Sequence, residues 1–266
     1  MSKLLYGDTR PWPAFEAVND SIRGGKSTSS WTVGAGNVAR FSGHLDIIAL
    51  GGAGFASQST TFTPRLSLNP RGSPGLHLTF IPPTLPLTSE KNTLSLLPPY
   101  EPYRYVLLLK NDKPERREDG RRESVVVYEW ELNVKEFEEV RVGGKRGDGR
   151  KKEEDEEKLL SGKEKEAVTV LARWGKFKPH YRGKEKPDAE PLDPSSIYEL
   201  SFMCRSNFGD QAGDFSLDIV SLAEAPKEGK LDKAKSWVLL ALQLLRQWKE
   251  WLAGLFGRGK VGGVKL

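Results

Sequence analysis

The sequence predicts an all-β protein, an antiparallel β-sandwich followed by a C-terminal amphipathic helix. Three observations carry that prediction. Within residues 197–222, two apolar runs (200–204 and 215–222) flank a polar, glycine-containing connection, and Phe215, Leu217 and Ile219 alternate with Ser216 and Asp218. A period of two marks a strand with one buried face. Phe41, Gly43, Leu45 and Ile47 alternate in the same way with Arg40, Ser42, His44 and Asp46, and Gly51, Gly52 and Gly54 then supply backbone positions that few other residues could hold. Residues 233–256 alone show the helical period, with Trp237, Leu240, Leu244, Trp248, Trp251 and Leu255 at three- and four-residue spacing.

Taken in order, residues 29–57 read as strands joined by tight turns. Strands are expected near 38–48, 103–110, 124–132, 197–205 and 214–222, with further candidates at 75–81 and 167–174. Tyr103, Tyr105, Leu107 and Leu109 form one alternating face, and residues 125–130 are β-branched and aromatic, which suits a pleated surface. Residues 82–102 carry prolines at 82, 83, 86, 98, 99 and 102, too many for a paired central strand. Residues 143–166 are charged and almost free of apolar side chains, a composition that predicts disorder. Residues 179–194 read as a long loop. The expected organisation is a sandwich domain over 1–222, a linker over 223–232, the helix over 233–256 and a basic tail over 257–266.

A chain of 266 residues can bury a sizeable core. Its net charge of +5 lies largely outside the strand-like segments, a weak argument for nucleic acid. The lone cysteine, Cys204, excludes an internal disulfide and fits a reducing compartment. No apolar run reaches the ~20 residues that a spanning helix needs. The opening residues carry an early acid, Asp8, and recognisable domain sequence starts within about a dozen residues, so a conventional removable transit peptide is not expected.

Motifs that would announce catalysis are incomplete. Gly25, Lys26 and Ser27 resemble the end of a phosphate-binding loop, but Asp20 stands where the first glycine belongs and would turn a carboxylate toward the phosphate. Gly34 and Gly36 fit the loose dinucleotide pattern, yet strand-like sequence follows them in place of a helix. His44, His77 and His180 lie far apart, without metal-ligand spacing. No nucleophile elbow is present, and Cys204 in its apolar run reads as a buried small hydrophobe. The expectation is a protein that is not an enzyme and needs no cofactor or metal.

Three blocks, residues 21–27, 40–57 and 197–222, resemble the complex I intermediate-associated protein 30 family, and the resemblance spans most of residues 6–222. It implies a galactose-binding-like, jelly-roll β-sandwich and assistance in assembling respiratory complex I (NADH:ubiquinone oxidoreductase), a chaperone-like role without catalysis. A carbohydrate-binding module is the alternative the fold would permit. RNA binding is a third, since chloroplast relatives act on messenger RNA, but the basic runs lack interleaved aromatic residues. The resemblance also implies a mitochondrial location; the N-terminal reading leaves the cytoplasm open.

Candidate partner-binding residues fall in three places. Arg117 and Arg121 lie in a turn around Asp119-Gly120, where several arginines could meet carboxylates or phosphates, or simply solvent. Arg205, Gln211 and Asp214 belong to a glycine-shaped loop and either line a ligand rim or serve structure, with Phe208 folding back onto the core. Trp237, Trp248 and Trp251 form a helix face that would dock on the chain's own sandwich, on a protein partner or on a membrane surface.

Overall fold

The computed structural model describes residues 2–83, 102–116, 118, 123–137 and 167–227. The expected helix with Trp237, Trp248 and Trp251, the charged insertion 143–166, residues 84–101, Arg117 and Arg121 lie outside the described residues. The chain divides into two compact units, Met1–Pro226 and Lys227–Leu266, and the described residues up to Pro226 belong to the first.

That first unit is an antiparallel β-sandwich. Its strands are β1 (Lys3–Gly7), β2 (Glu16–Ala17), β3 (Thr28–Val33), β4 (Ala39–Leu45), β5 (Phe55–Leu66), β6 (Gly75–Ile81) and β7 (Arg104–Lys110), then β8 (Val127–Asn133), β9 (Val168–Arg173), β10 (Lys178–Tyr181), β11 (Lys184–Glu185), β12 (Ile197–Arg205) and β13 (Gly213–Glu224). One sheet runs β3-β4-β13-β6-β9, with β1 also paired to β13; the other runs β11-β10-β8-β7-β12-β5-β2. Helical structure among the described residues is confined to short 3-10 turns such as Asp20–Arg23 and Val134–Phe137.

Period-two patterning sets the core. From the first sheet come Ala39, Phe41, Leu45, Leu76, Leu78, Phe80, Phe215, Leu217 and Ile219; from the second come Tyr105, Leu107, Leu109, Leu200, Phe202 and Cys204. Rings meet between the sheets, with Phe41 and Tyr105 at 6.3 Å and Trp31 and Phe202 at 5.4 Å between centroids. These distances fall in the range where aromatic pairs add to simple area burial. In β7 the intervening Val106 and Leu108 are buried as well, so this strand is apolar on both faces.

Three local expectations change, and β5 carries an irregularity. Within the expected long loop, β10 and β11 form a hairpin around Arg182 and Gly183, at φ 52° and 77°, as a two-residue hairpin turn with positive φ at both positions requires. β13 continues past Leu222 to Glu224, which accepts an ion pair from Lys3 at 3.2 Å, so the linker begins later than its composition suggested. β5 runs through Pro64 because Ile197 pairs Leu66 while Glu199 pairs Thr61, an irregularity that spares the proline a ladder bond. Phe208 does not fold onto the core; it is 94% exposed.

Candidate functional site

Gly34 and Gly36 join β3 to β4 at one end of the sandwich, whereas the Gly25-Lys26-Ser27 turn, the glycine turn at 51–54 and the loop of Gln211 gather at the opposite end. There β4 ends, β3, β5 and β13 begin, and β12 ends, as the pairings Thr28 with His44, Leu45 with Gly213 and Phe55 with Arg205 require. Three turns meet at this end: residues 20–27, 46–54 and 206–212.

Asp20 organises the first turn. Its carboxylate accepts from the Ser27 N–H at 3.0 Å, the Ser27 hydroxyl at 2.7 Å and the Phe55 N–H at 3.1 Å. A Cβ on Gly25 would lie 2.2 Å from Asp20 Cγ, so no side chain fits there. The Gly25-Lys26-Ser27 turn therefore spends donors on an internal carboxylate, and a phosphate would meet negative charge where a phosphate-binding loop offers N–H groups. Asn19 is similarly committed, its side-chain oxygen accepting from the Ser29 hydroxyl and the Ser57 N–H.

The second and third turns are sewn together through Ser206, which donates from its N–H to Gly54 and from its hydroxyl to Gly52, each at 2.9 Å. Gln211 then ties this loop to β7. Its Oε1 accepts from the Tyr103 and Arg104 N–H groups, and its Nε2 donates to the carbonyls of Arg104 and Arg205. The side chain is fully buried. Gln211 is thus a backbone clamp and not a rim contact. A glutamine among glycines reads as exposed in sequence, and only the folded loop reveals the carbonyls around it.

Arg205 and Asp214 do reach the surface. In β12, Glu199, Ser201, Met203 and Arg205 alternate with core-facing Leu200, Phe202 and Cys204, so they stand on the outer face of their sheet. Arg205 pairs there with Glu129, lies 3.7 Å from Glu131 and donates to Asn207 at 3.0 Å. Arg104 extends the cluster to Glu131 at 4.0 Å and Asp210 at 3.7 Å, and His180 lies 3.7 Å from Glu129. Asp214 is on the other sheet, with its side chain 93% exposed and its carboxylate 2.7 Å from His44 Nδ1. The structure therefore does not bring Arg205, Gln211 and Asp214 into one pocket.

Sequence reasoning missed Glu129, Glu131 and Glu199, and weighed His180 only as a metal ligand. The alternation of Glu129 and Glu131 with Tyr128, Trp130 and Leu132 carries the signal for a charged outer face. Glu199 is buried on the same face, accepting from Lys110 at 2.6 Å through Oε1 while Oε2 has no hydrogen-bond partner among the described residues. Cys204, facing inward, is fully buried, and burial pushes its thiol far above the ordinary range.

Residues 5–80 and 128–219 match the complex I intermediate-associated protein 30 family. The chain belongs to that family. The matched residues contain the Asp20 turn, the Gly52–54 turn and the loop closed by Gln211; the β7 backbone that Gln211 clamps lies outside them. A relative of this family member, the uncharacterized protein C9E9.15 of Schizosaccharomyces pombe, is 28% identical over 230 residues, which is 84% of each chain. Similar solved structures include the family 11 carbohydrate-binding module of a cellulosomal cellulase of Clostridium thermocellum. That likeness has 11% identity and a TM-score of 0.41, covering 86% of this chain and 98% of the module. A solution structure of a module of the same type gives 11% identity and a TM-score of 0.37, covering 86% and 96%.

Proposed function

We propose that this protein is a non-catalytic, chaperone-like assembly factor that binds intermediates of NADH:ubiquinone oxidoreductase through the surface of a galactose-binding-like, jelly-roll sandwich. The family match over more than half of the chain is the observation that carries this reading. Two features of the site support a binding role over catalysis. The carboxylate of Asp20 and the amide of Gln211 are consumed by internal hydrogen bonds, and the Cys204 thiol is held protonated inside the core. The exposed Asp214, the part-exposed Arg205 and the sequence candidates Arg117, Arg121, Trp237, Trp248 and Trp251 are the residues assigned to partner contact. Mitochondria are the location this reading requires.

The test is affinity capture of the tagged chain from mitochondria, followed by mass spectrometry and native electrophoresis. Enrichment of NADH:ubiquinone oxidoreductase subunits, with co-migration in a sub-complex, is the expected result. The double substitution Arg117→Ala and Arg121→Ala should weaken capture and make it more sensitive to salt without changing the melting temperature. Capture of no such subunit, from cells in which the complex is being assembled, would overturn the reading.

A further inference from the structure

The same end of the sandwich carries three large apolar side chains turned into water. Ile22 is 76% exposed, Ile48 78% and Phe208 94%. Each stands on a different turn, and the turns are joined. Ser27 and Asp46 link residues 20–27 to 46–54, and Ser206 links 46–54 to 206–212. The Phe208 carbonyl lies 3.8 Å from the place a Cβ on Gly52 would occupy, so the last two turns touch.

The backbone holds Phe208 outward against its own preference. Asn207, Phe208 and Gly209 follow one another at φ 47°, 62° and 95°, all in the left-handed region. A bulky aromatic residue rarely sits there, and such outliers gather where a surface works. The Gln211 clamp and the Ser206 bonds keep the loop in this shape. Ile48 stands in a turn whose residues 47–53 are Ile, Ile, Ala, Leu, Gly, Gly and Ala, with no charge among them.

Two cations of the first turn stand without a carboxylate partner among the described residues. Of the nearby acids, Asp20 is buried, Asp46 caps the Ala49 N–H, Asp210 lies 3.7 Å from Arg104, and Asp214 is exposed with its carboxylate 2.7 Å from His44. Arg23 and Lys26 are exposed beside Ile22 and form no ion pair among the described residues; Arg23 rests over the Phe55 ring at 6.0 Å. We infer that this apex is a membrane-contact site, in which Ile22, Ile48 and Phe208 enter the interface of a bilayer and Arg23 and Lys26 meet anionic headgroups. Separate apolar fingers divided by glycine and alanine suit a fluid surface, which closes around each finger. A folded partner would need a continuous face or groove to complement. This site is independent of the assembly reading and of the C-terminal segment.

The experiment uses the full chain and vesicles of phosphatidylcholine with or without phosphatidylserine. Binding is followed by co-sedimentation and by an environment-sensitive dye attached at Phe208→Cys, Cys204 being buried and unreactive. The dye should shift to the blue on vesicles containing phosphatidylserine. Ile48→Ser with Phe208→Ser should lower partitioning by roughly tenfold or more, since apolar insertion carries it. Arg23→Gln with Lys26→Gln should lower it by about fivefold per charge on anionic vesicles only, and added salt should erase that difference. Unchanged melting of all variants separates contact from folding. A dye that stays in water, or equal partitioning of wild type and the Ile48/Phe208 variant, would overturn the inference. So would loss of a captured protein with no vesicle effect, which would make the apex a protein interface.

Discussion

Asp20 is fully buried, and three donors from two segments converge on its carboxylate. Removing it leaves the Ser27 and Phe55 N–H groups without acceptors and the Ser27 hydroxyl with only the Asp46 carbonyl at 3.4 Å, and each orphaned buried group costs about 1–3 kcal/mol. Asp20→Ala should therefore destabilise the domain by roughly 3 kcal/mol or more, read from urea unfolding, and a loss under about 1 kcal/mol would show that the turn does not depend on it. Gln211→Ala should cost about 2–3 kcal/mol because it strands backbone groups of β7 and β12. Partner capture per folded molecule should stay unchanged, as befits a clamp. His77 offers a separate check through pH. Burial lowers its pKa below the ordinary 6.5, so folding favours the neutral ring. Its stabilising contribution is complete above 6.5 and is lost as pH falls from there through the lower folded value, since the unfolded chain binds the proton first. In His77→Gln the melting temperature should fall less steeply across that window than in the wild type.

At the scale of elements, β13 shows what patterning can and cannot reveal. Phe215, Leu217 and Ile219 face the core at a period of two, and then Leu222 faces it after a step of three. The change comes at Val220, where Ile219 pairs Phe80 and Ser221 pairs Thr79, leaving one residue extra. The alternation was legible because side-chain direction follows from strand geometry alone. The bulge was not, because it is set by the neighbouring strand. Gly7, at φ 87°, fits against it, and a Cβ there would sit 2.1 Å from the Val220 carbonyl oxygen. Gly7→Ala should thus combine a left-handed backbone penalty with a clash and cost about 2–3 kcal/mol, measured by thermal unfolding. The β10–β11 hairpin was hidden for a related reason. Proline and charge around Arg182 and Gly183 read as loop, while pairing of His180 with Val127 of β8 makes the segment a strand. The site was legible in part: Asp20 spoiled the phosphate motif in sequence and does so in space, whereas the burial of Gln211 and the outward turn of Phe208 depend on loop contacts across more than 100 residues.

For the whole molecule, the question is which part of the chain suffices to fold. The last strand is bound on both sides before it ends: β13 pairs with β4 and then β1 along one edge and with β6 along the other. Its final residues are also secured, by the Lys3–Glu224 ion pair and by the Ala225 N–H donating to the Gly75 carbonyl at 2.9 Å. Among the described residues, the core cluster of the sandwich runs from Leu5 to Leu222, all within the first unit. A chain ended after Pro226 should accordingly unfold in one cooperative transition, with residues 227–266 contributing little to the melting temperature. Because the loop apex at Ile22, Ile48 and Phe208 belongs to the retained unit, the shortened chain should still partition onto anionic vesicles, and the Ile48→Ser/Phe208→Ser pair should still reduce it. Differential scanning calorimetry and co-sedimentation of the same preparation test both statements. A broad or early transition would mean that the sandwich requires the C-terminal unit. Normal melting with vesicle binding abolished would move the membrane contact from the apex to residues 227–266.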